Sequence, residues 1–313
     1  MSFDTPILFI TFNRPDTTIQ VFESIKMARP ARLYVANDAP RQGNKQDEEM
    51  VVAVRALVKR VDWPCDIKYL FQEQNLGCSL GPRAAFKWFF DQEEEGIILE
   101  DDCLPDPSFF SFCSILLEKY KDDEKIISIS GCNLGYHLTT GDSYSFSKFM
   151  NMWGWATWKR SADKIDYSLA EWKQEKKPVF SIYKRLRQNV FDFDIVWFKY
   201  WKSKFDLTIN KKNISWWDWQ WIYHQTRDKQ YSIVPAVNLV KNLGFGEHAT
   251  HTKEEHNPAA QLDSNQITFP LKHPSKMKND IRYEETFVKW VWCYHKRVKL
   301  TRLILNRVKR TFS

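Results

Sequence analysis

None of the six cysteines pairs with another as CxxC; Cys65, Cys78, Cys103, Cys113, Cys132 and Cys293 stand singly along 313 residues. Scattered thiols argue against a disulfide frame and a thiolate zinc site, and for a reducing compartment. No run approaches the ~18 uninterrupted apolar residues of a membrane span. The opening MSFDTPILFITFNRP has no basic n-region, and its apolar run is too short for a signal peptide. From these absences we expect a cytoplasmic protein in a bacterial setting. Glycine and proline are few, 10 and 13 residues, and 27% of the chain is charged, which excludes low-complexity disorder. No internal repeat stands out. Acids are missing after Glu285, where Lys289, Lys296, Arg297, Lys299, Arg302, Arg307, Lys309 and Arg310 follow. The net charge of +7 is therefore concentrated in the tail, and no basic track for nucleic acid runs along the chain.

Aromatic residues are abundant: 14 Trp, 22 Phe and 12 Tyr. Such rings fill cores and also stack on sugars and bases. Hydrophobic residues make up 43% of the chain, enough for one large domain or two modest ones.

Apolar runs at Pro6–Phe12, Arg32–Ala36, Asp66–Phe71, Gly96–Leu99 and Lys125–Ser130 read as strands. Between them, helical spacing appears at Asp16–Met27, Lys45–Val61, 79–92 and 107–120. Strands that are apolar throughout and alternate with helices predict an α/β fold, a parallel sheet covered on both faces. Ligands of such sheets bind beyond the carboxyl ends of the strands. Asn13 and Arg14, Asn37 and Asp38, Asn75 and Gly77, then Glu100 to Asp102 all fall there. After about residue 135 the alternation fades into aromatic clusters, MNMWGWATW, VWFKYW and SWWDWQWIYH. A further strand is expected at Ser232–Val237, loop over 253–280, and a helix or helix pair over 285–312.

The run GIILEDDCLPDPSFF, residues 96–110, ends an apolar strand in three adjacent acids. Adjacent carboxylates repel unless a cation neutralises them. Oxygen ligands suit Mg²⁺ or Mn²⁺, which keeps waters and takes one or two carboxylates plus substrate phosphates. The competing reading is an acidic loop leading a helix that Asp106 caps.

These residues resemble the glycosyltransferases of the GT-A fold, Rossmann-like enzymes that use nucleotide-diphosphate sugars. Glu100–Asp101–Asp102 looks like their DXD motif in its EDD form. The likeness is strongest to the group of the Golgi N-acetylglucosaminyltransferase that begins complex N-glycans and its bacterial relatives. It extends, in order over residues 5–252, through FNRP, an Asp after the second strand, EDD, a GW element, W-x-D-W and a late FG…H. The resemblance implies that Thr11, Asn13, Arg14, Asp38, Asn75, Gly77, Arg83, Glu100 and Asp101 bind the nucleotide-sugar. In it Arg14 meets the phosphates and Asp38 the nucleobase, Asp102 and His251 hold Mn²⁺ or Mg²⁺, and Glu100 supports them. The alternatives are cap or loop roles for Arg14 and Asp38, a solvated helix position for Arg83, and His248 in place of His251.

Glycosyl transfer also needs a base for the acceptor hydroxyl. Asp218 is a single acid among Trp216, Trp217, Trp219 and Trp221, and apolar surroundings make a carboxylate more basic. The matching Asp of the resembled transferases is their base; an N-cap of the next helix is the alternative. Gly154, Trp155 and Trp217 are expected at the acceptor or transferred sugar, with core packing the alternative.

The whole reads as a metal-dependent, inverting glycosyltransferase. It would take a UDP-sugar as donor and a glycan or lipid-linked glycan as acceptor. Residues 1–252 form the transferase domain, with a nucleotide-sugar half at 1–135 and an acceptor half at 136–252. Residues 253–313 form a loop and a basic helical extension. That extension suits docking on an anionic surface at the inner face of the plasma membrane, or ordinary packing. Two other classes stay open. A nucleotidyltransferase making nucleotide-sugars usually carries a glycine-rich loop after strand one, and TFNRPDTT has no glycine. A non-catalytic glycan-binding protein has no need of the acids after strand four.

Overall fold

The computed structural model describes residues 3–174, 195–210, 214–245 and 261–294. In the first part of the chain strands and helices alternate. They are β1 (Ile7–Thr11), α1 (Pro15–Ala28), β2 (Arg32–Asn37), α2 (Lys45–Leu57), β3 (Asp66–Phe71), α3 (Gly77–Phe90) and β4 (Glu95–Glu100). A short β5 (Cys103–Pro105), α4 (Pro107–Tyr120) and β6 (Ile126–Ser130) follow. Then come β7 (Tyr144–Ser147), β8 (Trp155–Trp158), α5 (Lys159–Ala162), α6 (Ala170–Gln174), α7 (Ile195–Asn210) and α8 (Asp218–Asp228). The described elements end with β9 (Tyr231–Pro235), β10 (Val240–Asn242) and α9 (Ile281–Tyr294).

Eight strands form one sheet in the order β3-β2-β1-β4-β8-β6-β9-β7. The block β3-β2-β1-β4 is parallel, as is β6 with β9. Side chains alternate across it. Ile7 and Phe9 of β1 pack with α1, α2 and α4 on one face, while Leu8 packs with Phe86 and Phe89 of α3 on the other. Burial on both faces explains why β1, β2 and β4 are apolar at almost every position. Gly96 of β4 is required by this packing, because a Cβ there would lie 2.3 Å from the Phe89 ring and 2.9 Å from the Pro6 carbonyl.

The predicted α/β architecture is present. Four strands lie beyond what the sequence disclosed: the pair β5 and β10, and β7 and β8, which are antiparallel members of the main sheet. β8 is wedged between β4 and β6, and β7 closes the edge beside β9. No helix among the described residues is long and apolar enough to cross a membrane. The basic extension beyond residue 294 lies outside the described residues.

Candidate active site

β1, β2 and β4 run parallel, so their carboxyl ends share one rim. The register sets Thr11 beside Asn37 and Ile10 beside Glu100. Asn37 donates from Nδ2 to Thr11 Oγ1 at 3.0 Å and to the Phe12 carbonyl at 2.9 Å. Thr11 thereby braces two strand ends. Asn13 donates from Nδ2 to Asp47 Oδ1 at 2.8 Å.

The three acids close β4. Asp101 is buried and accepts from the Phe12 backbone N–H at 2.9 Å. Arg14, just before Pro15 opens α1, donates from Nη1 to Asp102 Oδ2 at 2.8 Å and lies 3.7 Å from Asp101 Oδ1. Desolvation first, and then the charge of Asp102, raises the carboxyls of both Glu100 and Asp101 above the ordinary range. Asp218 contributes to the rise at Glu100, and Arg14 opposes it at both. Asp106 caps α4 by accepting from Ser108 N at 2.9 Å. Capping thus accounts for Asp106, and leaves Glu100, Asp101 and Asp102 crowded at the rim.

The strand β10 returns to this point. It pairs antiparallel with β5, setting Asn242 opposite Cys103, and Leu243 N donates to the Asp102 carbonyl at 2.7 Å. Asn242 Oδ1 accepts from Gly244 N at 2.7 Å. A Cβ on Gly244 would lie 2.1 Å from Asp102 Oδ2, so the chain passes directly over that carboxylate. Asn242 to Gly244, the residues just before the late FG…H element, therefore reach the acids. His251 and His248 lie outside the described residues.

On the far side, Asp38 accepts from Leu76 N at 2.9 Å, Gly77 N at 2.8 Å and Asn75 Nδ2 at 3.2 Å. It ties the start of α3 to the end of β2, which favours the capping reading raised by the sequence. Asn75 also donates to the Ala39 carbonyl at 2.6 Å. Gly77 adopts φ +72°, a conformation that disfavours any side chain. The Arg83 guanidinium lies 4.3 Å from the centre of the Tyr167 ring.

Asp218 opens α8, half-buried between the buried Trp217 and Trp219, and accepts from Trp219 N at 3.0 Å. Its charge adds to the rise at Glu100, which sets the W-x-D-W element on the side of the acidic cluster. Two of the rings singled out from the sequence, Trp155 and Trp217, face the core instead. Trp155 is wholly buried, stacked on Trp217 at 5.9 Å and edge-on to Trp221 at 5.0 Å. Phe86 of α3 meets Trp217 at 4.8 Å. The core reading of Trp155 and Trp217 therefore describes them. Gly154, at φ +60°, lies under Val240, where a Cβ would come within 2.7 Å.

Ser79, Cys78, Asn242 and Gly244 were not singled out from the sequence. Gly244 lies two residues after β10, a strand that the sequence did not disclose.

The residues present suit a hard divalent ion. The donors at the rim are carboxylate oxygens, and their mutual repulsion exceeds what Arg14 alone offsets. Among the described residues, no three His, Cys, Asp or Glu side chains are grouped so as to hold a metal ion unaided. An ion at Asp102 therefore needs substrate phosphate and water to complete its shell.

No protein-family model matches the sequence, and no curated protein matches it. Several solved structures are similar at low levels. HddC from Yersinia pseudotuberculosis shares 12% identity over 50% of this chain and 77% of its own, with a TM-score of 0.32. A 4-diphosphocytidyl-2C-methyl-D-erythritol synthase from Anaerococcus prevotii shares 10% over 58% and 85%, with a TM-score of 0.33. A UDP-glucose pyrophosphorylase complexed with UDP-glucose shares 12% over 51% and 71%, with a TM-score of 0.28. At these scores the likeness extends to neither the activity nor the substrate of this chain.

Proposed function

We propose that the protein is a glycosyltransferase that moves a sugar from a nucleotide-diphosphate donor, UDP-sugar in the first instance, to a glycan hydroxyl. The observation that carries this reading is the acidic cluster that ends β4, with Arg14 at 2.8 Å from Asp102 and with Asp218, at the start of α8, adding its charge to the rise at Glu100. A donor diphosphate has a cationic contact in Arg14, and an acceptor hydroxyl has a proton acceptor in Asp218. In a single displacement the acceptor oxygen bonds to the anomeric carbon as the bond from that carbon to the phosphate oxygen breaks. The hydroxyl proton passes to the Asp218 carboxylate, and the nucleoside diphosphate leaves with the bonding pair. Asp102, with Glu100 beside it, would hold Mg²⁺ or Mn²⁺; when bound, the ion supplies positive charge to the departing diphosphate. Arg14 adds to that stabilisation. Thr11 and Asn37 keep the rim rigid, which fixes where the phosphates are received.

The second reading is a nucleotidyltransferase that makes nucleotide-sugars, the class to which the names of two similar structures belong. Against it stands the turn after β1, where Phe12–Asn13–Arg14 leads straight into Pro15 of α1 with no glycine loop to wrap a triphosphate. One assay separates the two. Protein given labelled UDP-sugar and glycan is expected to release UDP and label the glycan. Protein given UTP and a sugar 1-phosphate is expected to release no pyrophosphate. Asp218→Asn should lower transfer by about 10²- to 10⁴-fold with donor affinity kept. Wild-type transfer in that variant removes Asp218 from the chemistry, and pyrophosphate release decides for the second reading.

A further inference from the structure

The first turn of α3 contains a Ser and a Cys whose side chains reach across to another loop. Side chains of this kind near a helix start commonly bond to local backbone. Here Asp38, reaching over from the end of β2, already satisfies the backbone N–H groups of Leu76 and Gly77. The side chains that follow are thereby released to point outward. Ser79 Oγ donates to the Trp216 carbonyl at 2.9 Å, and Cys78 Sγ to the Ser215 carbonyl at 3.2 Å. Ser79 is only 6% exposed, so little water competes for that bond.

The same loop is held from two further directions. Trp216 Nε1 donates to Thr208 Oγ1 of α7 at 2.9 Å, and the Trp217 ring packs 4.8 Å from Phe86, further along α3. Asp218 comes next in the chain. The held turn also borders the rim, since the Cys78 thiol is raised by desolvation and then by the charges of Glu100 and Asp38.

We infer that Ser79 is a positioning residue for Asp218, fixing through the Trp216 carbonyl the loop that aims this carboxylate into the crevice. The catalytic half of the inference rests on the reading of Asp218 as base. Misplacing a base by about 1 Å can cost about 100-fold in rate, so one lost hydrogen bond in the loop before it is felt at the chemical step. Asp38 has a part in the arrangement, because its cap is what frees Ser79.

The test uses the full chain with Ser79→Ala and Ser79→Thr. Hydrogen exchange is followed in the peptide 214–222, with melting temperature, kcat and donor KM measured alongside. Ser79→Ala should speed exchange in that peptide and lower kcat about 10- to 100-fold. Its melting temperature and donor KM should stay near wild type, and Ser79→Thr, which keeps the hydroxyl, should restore both exchange and kcat. Wild-type exchange in Ser79→Ala, or a loss of kcat that Ser79→Thr does not recover, overturns the inference. Should the wild type transfer no sugar while exchange responds as described, the clamp stands and its catalytic purpose is overturned.

Discussion

Gly244 has room for a hydrogen and nothing larger, with Asp102 Oδ2 only 2.1 Å from the position of an added Cβ. The atom in the way is the tip of a side chain, so Gly244→Ala should displace the carboxylate rather than unfold the chain. The expected outcome is a metal-assisted affinity for UDP weakened at least about tenfold, one hydrogen-bonded charge contact or about 1.4 kcal/mol, with a nearly unchanged melting temperature. Equal affinity in titration calorimetry would show that Asp102 does not need its present place. A pH effect follows from the neighbouring acids. Burial, and then Asp102, raises the folded-state pKa of Glu100 and Asp101 above that of the unfolded chain. Their contribution to stability is thus greatest below about pH 4, and it is lost as pH climbs toward the raised folded values. Metal-free protein should lose melting temperature between about pH 5 and about pH 8, and Glu100→Gln should lose less. Equal slopes for the two proteins would contradict the crowding described.

At the scale of elements, β1, β2 and β4 were legible because burial on both faces writes the middle of a strand as an apolar run, and they end in Thr11, Asn37 and Glu100, while β3, partly exposed at the sheet edge, shows the weaker run DIKYLF. α1 and α4 were legible for a related reason: Pro15 and Pro107 sit in their first turns, where a missing N–H costs nothing. β8 was not. Its four residues, Trp155–Trp158, pair with strands far off in sequence, and nothing local distinguishes a Trp facing a core from a Trp facing a sugar. β5 and β10, three residues each, exist only because they pair with one another. That pairing is also what carries Gly244 to Asp102, so this part of the site is written in tertiary contacts alone. The Trp155 ring is wholly buried. Trp155→Ala should cost about 3–5 kcal/mol of stability, as for a large buried ring, measured by urea denaturation. Near-wild-type stability with a selective rise in acceptor KM would return this ring to the acceptor surface.

Across the whole molecule, the parallel block supplies the rim with its acids, and the chain after β6 supplies what stands opposite. α8 brings Asp218, and β10 brings the cover over Asp102. The convergence of strand ends was readable because parallel order alone puts polar termini on one edge. The position of Asp218 relative to Glu100 was not, because it depends on the α3 turn that grips residues 215 and 216. The account as a whole depends on the β4 carboxylates receiving a cation together with a donor diphosphate. Titration calorimetry of UDP tests this most directly, in Mn²⁺ and in EDTA, on the wild type and on Asp102→Ala. Saturable binding that requires Mn²⁺ and disappears in Asp102→Ala is the predicted result; binding indifferent to the ion and to Asp102, or no binding at all, would contradict it.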